Sequence, residues 1–525
     1  MIRMRNILQF ILFWGFVTLT TAELDKNKFP LCKLCKCNFN ANDTAADVMC
    51  KELLPYDHIF QDYFWKLNNT NESIAYNSLV INNNNFNNLT ELFPKSNLTL
   101  LNLAENNIVI IKDSVFRNLQ NMVVLILSHN DLETIHPDTF KGLYLEERLL
   151  PLRSLRELRL DHNKLHTLHQ DTFEHTTDIE ILDLSYNDFD IIDHPTLFAI
   201  CSLASLKELY LQYTGLKTLP DNMLHTLRKL QVLDLSGNME ISKMPTTLEQ
   251  AINLQKLYLN NTGFVNLTRE NGFPDLPSLK VLHLCRNEHL HHIDKYALSG
   301  LTNLSDLRIC DNIDLSSIHE LALPKPSNVS GGAVWPPIKK LYIGNNKLAY
   351  LESELVARWD SLSELDIREN PLTCECENQW LVEDLMPIYL KINEEMAKEV
   401  RCAAPIEMKA YTLYDIYMKK SHMRCLDVYG NRPEKDGVML VAVLAGKNRF
   451  SEEKIDEDYY DRACDTNGEC SLSIGRASGI LIVIPLILMV MYAYQRKWFS
   501  VLGFCDRSPA SYSRRFYNST RNDDF

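Results

Sequence analysis

Apolar residues recur along this chain in one fixed spacing, L-x-x-L-x-L-x-x-N-x-L, with the asparagine at positions 106, 130, 163, 187, 238, 287, 312, 346 and 370. A shorter copy, Leu79-x-Ile81-x-x-Asn84-x-Phe86, opens the series, and Thr214 and Thr262 replace the asparagine in two others, making twelve copies. Successive copies follow at 22 to 27 residues, except for two intervals of 33 and 34 that contain insertions around Tyr144 to Leu152 and Pro324 to Pro337. Within each copy the L-x-L alternation predicts a short strand with inward leucines. The asparagine amide suits the turn that follows, where no ladder exists to satisfy the backbone. A unit with one apolar face cannot stand alone, so the copies are expected to stack into an α/β solenoid with a parallel β-sheet and one continuous core.

The ends of such a stack would leave leucines in water unless capped. Cys32-x2-Cys35-x-Cys37-x12-Cys50 stands at the front, and Asn370-Pro371-Leu372-Thr373-Cys374-Glu375-Cys376, Trp380-Leu381, Cys402 and Cys425 stand at the back. Sequence alone leaves three connectivities per cap. These segments resemble the cysteine-flanked caps of extracellular leucine-rich repeat proteins such as Slit, Toll-type receptors and small neuronal adhesion receptors, over residues 30 to 427. The resemblance implies a leucine-rich repeat horseshoe with disulfide caps and the sheet on its concave face. It also implies pairing of Cys32 with Cys37, Cys35 with Cys50, Cys374 with Cys402 and Cys376 with Cys425.

Composition narrows the setting. The 525 residues are 46% hydrophobic and 23% charged, enough to fold and too many for one ordinary core. A formal charge of -14 repels phosphate backbones and argues against a nucleic-acid partner. Fourteen cysteines in tight groups suit an oxidising compartment. Arg3 and Arg5 precede an apolar run from Ile7 to Val17, with Thr20 and Ala22 placed for cleavage, the pattern of a secretory signal peptide. A second apolar run, Ala477 to Tyr494, has the length of one membrane span. Beyond it, six basic residues outnumber three acidic ones, which favours a cytosolic C-terminus.

The expected order is a signal peptide (1–22), an N-terminal cysteine cap (23–77), twelve repeats (78–370), a C-terminal cysteine cap (371–427), an acidic juxtamembrane stalk (428–476), a single transmembrane helix (477–494) and a short cytoplasmic tail (495–525). This is a type I protein of the plasma membrane. The tail is too short for a kinase or other signalling fold, and is expected to act through short motifs. Cys505 is a palmitoylation candidate, and the terminal Asp523-Asp524-Phe525 is a candidate docking point for a cytoplasmic adaptor.

Residues that alternate with the inward leucines face solvent on the concave side. Four positions before each repeat asparagine or threonine stand Val80, Asn102, Ile126, Arg159, Asp183, Tyr210, Asp234, Tyr258, His283, Arg308, Tyr342 and Asp366. Against the alternative of a merely solvated β face, the run from Arg159 to Asp366 carries the Tyr and Arg enriched at protein-binding hot spots, with Tyr186 and Tyr213 in neighbouring rows. Cys285 and Cys310 each stand two positions before a repeat asparagine, so they are expected to be neighbours and to pair. Cys464 and Cys470 close a small juxtamembrane loop, which leaves Cys201 as a buried free thiol.

Sequons at Asn42, Asn68, Asn71, Asn88, Asn97, Asn260, Asn266, Asn303 and Asn328 are expected to carry glycans, and the one at Asn260 would obstruct docking on the concave face. Asn518 matches too, but on the cytosolic side. Tyr459 and Tyr460, within an acidic run, are sulfation candidates against the plainer reading of a solvated spacer. No phosphate-cradling loop, G-x-S-x-G or H-E-x-x-H occurs, so enzyme activity and cofactors are not expected. The histidine groups 289/291/292 and 162/166/169 have spacings that fit turn surfaces better than a coordination shell, so no metal is expected either.

Together these features predict a single-pass cell-surface receptor or adhesion protein that binds an extracellular protein through the repeats. Two alternatives stand beside it: an accessory or decoy innate-immune receptor, and a scaffold with homophilic contacts.

Overall fold

The computed structural model describes residues 29–39, 45–51, 59–66, 73–145, 148–326 and 332–423. All of them fall in the first of two units into which the chain divides, residues 1–434. The expected signal peptide, the stalk, the span 477–494 and the tail lie outside the described residues. So do Asn42, Asn68, Asn71, Asn328, Cys425, Tyr459, Tyr460, Cys464, Cys470 and Cys505. Among the described residues no helix is long and apolar enough to cross a membrane.

Each copy of the repeat supplies one strand to a 14-stranded sheet. The sheet begins with an antiparallel pair, Lys36–Phe39 and Ala46–Cys50, and the remaining strands, from Tyr76–Ile81 to Glu364–Asp366, run parallel in chain order. The central leucines of neighbouring strands sit opposite one another, as Leu158 does between Leu125 and Leu182, and these leucines are buried. The two long intervals leave this register intact. Their extra residues form antiparallel hairpins, Leu143–Leu145 with Arg148–Leu150 and Lys325–Pro326 with Ala333–Val334. Ile126 still pairs with Arg159 across the first, and Arg308 with Tyr342 across the second.

The turn after each strand is closed by the repeat asparagine. Asn130 is representative: Nδ2 donates to the carbonyls of Leu103 (3.0 Å) and Leu127 (2.9 Å), while Oδ1 accepts from the amides of Asn106 (3.1 Å) and Ile108 (3.0 Å). One buried amide therefore ties its own turn to the turn of the preceding repeat. The residue just before each asparagine or threonine is left-handed, with φ from 50° at Tyr213 to 79° at Gly237. At Asn287 and Asn312 the Oδ1 bonds persist, but Nδ2 has no partner among the described residues.

The helical part of the expected α/β class is slight. An interval of about 24 residues spends half its length on strand and turn, leaving room for little more than one helical turn on the return. The longest return helix is His194–Cys201, capped by Asp193, whose carboxylate accepts from the Thr196 amide at 3.0 Å. The first repeats instead pack their returns around Phe93, Phe116, Phe140 and Phe173, stacked with ring centroids 5.9, 6.1 and 6.4 Å apart and fully buried.

Both ends are closed. At the front Cys32 is bonded to Cys37 and Cys35 to Cys50, over a cluster of Phe29, Trp65 and Tyr76. The Tyr76 hydroxyl donates to the Phe64 carbonyl (2.9 Å) and accepts from the Leu31 amide (3.2 Å), and burial pushes its pKa up. At the back Cys374 is bonded to Cys402, and Trp359 and Trp380 pack with centroids 5.2 Å apart. Cys376 is disulfide-bonded as well; Cys425, its expected partner, lies outside the described residues.

The asparagine ladder yields a measurable consequence. Asn238 is fully buried and makes five hydrogen bonds, to Leu211, Leu235, Thr214 (backbone and hydroxyl) and Leu216. Asn238→Ala leaves those backbone groups unpaired in a dry interior, a loss of about 3 kcal/mol. The thermal midpoint of the purified protein, followed by circular dichroism, is expected to fall by several degrees.

Candidate functional site

The concave row forms one continuous line. Val80, Asn102, Ile126, Arg159, Asp183, Tyr210, Asp234, Tyr258, His283, Arg308, Tyr342 and Asp366 are Cα partners, each of the next. With leucines anchored in the core on either side, these side chains project from a rigid sheet at strand spacing, ~4.8 Å.

The last third of the row is laced by its own charges. Arg308 forks onto Asp306 (3.1 and 3.4 Å) and lies 4.5 Å from the centre of the Tyr342 ring. The Tyr342 hydroxyl bonds Glu364, which Lys340 also reaches at 2.5 Å; burial and then that carboxylate push the phenol up to about 12. Arg368 forks onto Asp366.

The middle is different. Arg159 is held by Glu157 at 2.5 Å, but Asp183 and Asp234, on either side of Tyr210, make no ion pair among the described residues. Each instead accepts from the backbone amide two residues on, Ser185 at 3.0 Å and Ser236 at 2.9 Å. Burial raises the pKa of both carboxyls, and Asp234 is only 7% exposed. The Tyr210 hydroxyl donates to Glu208 at 2.7 Å, and burial first, Glu208 second, push its pKa up. Tyr258 meets His283 edge to face at 4.8 Å.

Along the rim beside this row, the left-handed residues before four repeat asparagines or threonines carry rings. His129, His162, Tyr186 and Tyr213 stack in succession, with centroids 3.9, 4.1 and 4.8 Å apart. Tyr186 and Tyr213 are 39% and 42% exposed. The stack ends at Gly237, where a Cβ would lie 2.4 Å from Cγ of Tyr213, so the absence of a side chain makes room for the last ring.

Cys285 and Cys310 are joined across adjacent strands, with Cα atoms 4.5 Å apart. Cys201 is half-buried instead of buried: it ends the helix His194–Cys201 at the edge of the core, with Sγ 3.8 Å from the Met223 carbonyl. Asn88, Asn97, Asn266 and Asn303 are exposed. Asn260 lies on the concave side with its amide engaged, Oδ1 accepting from the Cys285 amide at 2.9 Å and Nδ2 meeting the Ser236 hydroxyl at 3.4 Å.

The two histidine groups singled out by spacing do not gather. His289 is exposed and His292 bonds Ser317 at 2.8 Å; His166 is exposed, and His169 accepts from the Asp171 amide. His162 instead meets His129 of the preceding repeat, each standing one position before a repeat asparagine.

A family model described as leucine rich repeat matches residues 96–147, 153–203, 204–264 and 252–312. The chain is similar to CD180 antigen of Mus musculus, 25% identical over 352 residues, 66% of this chain and 44% of that one. It is also similar to Toll-like receptor 8 of Homo sapiens, 29% identical over 241 residues, 40% of this chain and 22% of that one. The chain thus spans less than half the length of these relatives. Among solved structures it aligns with the leucine-rich repeat domain of APL1B at 22% identity and TM-score 0.37, over 53% of this chain and 70% of that one.

His283 gives the face a pH signature. Burial first, and then the Arg308 charge, hold its imidazole down at about 4. An unfolded histidine titrates near 6.5, so below that pH the unfolded chain gains a proton that the folded one refuses. The neutral ring therefore costs nothing above about pH 6.5, and stability declines as pH falls from there towards 4. After allowing for the ring's partial exposure, the penalty is about 1 kcal/mol. His283→Gln is expected to lose less in melting temperature between pH 7 and pH 4.5 than the unsubstituted protein, by roughly 2 °C.

Proposed function

Because the chain is a leucine-rich repeat protein, we propose that it is a single-pass cell-surface receptor or adhesion protein whose concave face, from Arg159 to Asp366, binds an extracellular protein. The observation that carries this reading is the continuous row of Tyr, Arg, His and Asp side chains held in register on the sheet, exposed or half-exposed except for the buried Asp234. Preorganised aromatic and charged side chains need little further ordering on docking, which is where much of an interface's cost lies. The disulfides that staple the caps and the one that joins Cys285 to Cys310 support an extracellular setting. In this reading residues 1–22 direct secretion, 477–494 span the membrane, and the exposed asparagines carry glycans.

Similarity to a Toll-like receptor favours a second reading, an accessory or decoy receptor that captures a ligand and passes it to another chain. Deleting residues 498–525 separates the two: a decoy keeps its function without the tail, and a receptor that signals inward loses it.

The test is a screen of the full chain, displayed on cells, against a library of secreted proteins and ectodomains, followed by affinity measurement on the partner recovered. The paired change Tyr210→Ala and Tyr258→Ala is expected to weaken binding at least about tenfold at unchanged surface level. Unchanged affinity would place the site on the hairpin insertions or the convex side.

A further inference from the structure

Two turns in adjacent repeats bring four side chains into a block at the rim of the sheet. Ser128 and His129 stand two and one positions before Asn130, and Asp161 and His162 hold the same positions before Asn163. The His129 amide donates to the Asp161 carbonyl at 3.0 Å, and both histidines have φ of 53°. The two imidazoles therefore emerge from matching backbones one strand apart, and their rings stack at 3.9 Å. The Asp161 carboxylate, 15% exposed, sits beside them. Its Oδ1 accepts from the Ser128 hydroxyl at 2.5 Å and its Oδ2 lies 2.9 Å from Nδ1 of His162. One ring nitrogen of each histidine and one Asp161 oxygen all lie within 4.8 Å of one another.

We propose that His129, Asp161 and His162 bind a divalent cation of the zinc class, leaving a coordination position for water or for a donor atom of a partner. Two imidazoles and a carboxylate suit Zn²⁺, Cu²⁺ or Ni²⁺ and not the oxygen-seeking Ca²⁺ or Mg²⁺. Tetrahedral zinc needs its donors about 3.3 Å apart, given ligand bonds of ~2.0 Å. Donors that lie within 4.8 Å of one another close to that spacing by up to about 1.5 Å, which rotation of the 38% exposed His162 out of its ring stack supplies. The Ser128 bond fixes the Asp161 carboxylate, and the ladder fixes the two backbones, so only side chains must move. Asp161 and Asp183 repel one another, and an added cation lowers that repulsion beyond what the Arg159 guanidinium, itself bonded to Glu157, supplies. A second group, Asp113, His136 and Asp138, offers one imidazole only. It lacks the nitrogen donors that select zinc.

The purified full chain, stripped with a chelator and exchanged into chelator-free buffer, is titrated with ZnCl₂ by calorimetry, with CaCl₂ as the control cation. Addition of Co²⁺ reports geometry through its visible absorption. The expected result is one saturable zinc site, with Ca²⁺ silent. His129→Ala or His162→Ala is expected to weaken it by roughly tenfold or more and to abolish the cobalt spectrum. His136→Ala leaves both unchanged. Metal-free melting temperatures equal to that of the unsubstituted chain show that the variants are folded. No saturable zinc binding, wild-type affinity in the His129→Ala/His162→Ala double variant, or loss of the site in His136→Ala overturns the proposal.

Discussion

A single side-chain amide, repeated, is what this architecture depends on. A parallel strand of three residues satisfies only a few backbone groups, and the turn after it would be buried with its amides and carbonyls unpaired, at ~1 to 3 kcal/mol each. The repeat asparagine fills that gap, because its amide donates and accepts in one plane and reaches two turns at once. Asn130 serves the turns of both its own and the previous copy. Where threonine takes the position, the following asparagine supplies what is missing: Thr214 bonds Oδ1 of Asn238 through both its amide and its hydroxyl. The same bonds hold the preceding residue left-handed, and that backbone aims the ring stack from His129 to Tyr213.

Much of this was legible in the sequence, because the asparagine and leucines announce themselves at fixed spacing. Counting back from each asparagine identifies the concave row and the adjacency of Cys285 and Cys310, since register follows from the repeat and not from the length of the return. What returns do with their residues was not legible. The phenylalanines 93, 116, 140 and 173 stand nine or ten residues after a repeat asparagine, beyond the reach of a pattern that ends two residues after it. The pairing of His129 with His162 is given by the same count, each standing one position before a repeat asparagine, but grouping histidines by distance along the chain overlooks it. The hairpin between Leu143 and Leu150 separates them in sequence while leaving their strands adjacent. Cys201 misled because its apolar neighbours in sequence lie on a short helix, where the terminal residue faces partly outwards.

The concave face is not electrostatically uniform, and the difference has a physical origin. From Asp306 onwards each of these basic side chains meets an acidic one, Arg308 with Asp306 and Arg368 with Asp366 two residues apart, and Lys340 with Glu364 across adjacent strands. Around Tyr210 the carboxylates of Asp183 and Asp234 are held instead by serine amides, and Asp234 by Gln212 as well, with no ion pair among the described residues. A partner approaching the first region must break pairs, whereas one approaching the second recovers solvation energy that folding gave up.

The bond between Cys285 and Cys310 also changes how the molecule yields when its two ends are drawn apart. Repeats that touch only their neighbours peel away singly under tension, each releasing slack as it leaves the stack. The ninth and tenth copies cannot separate in this way. The 25-residue span between the two cysteines is shorted out of the load path, withholding roughly 85 Å of extensible chain. A crack that opens from either end is therefore expected to stall at this covalent rung until the thiols are reduced.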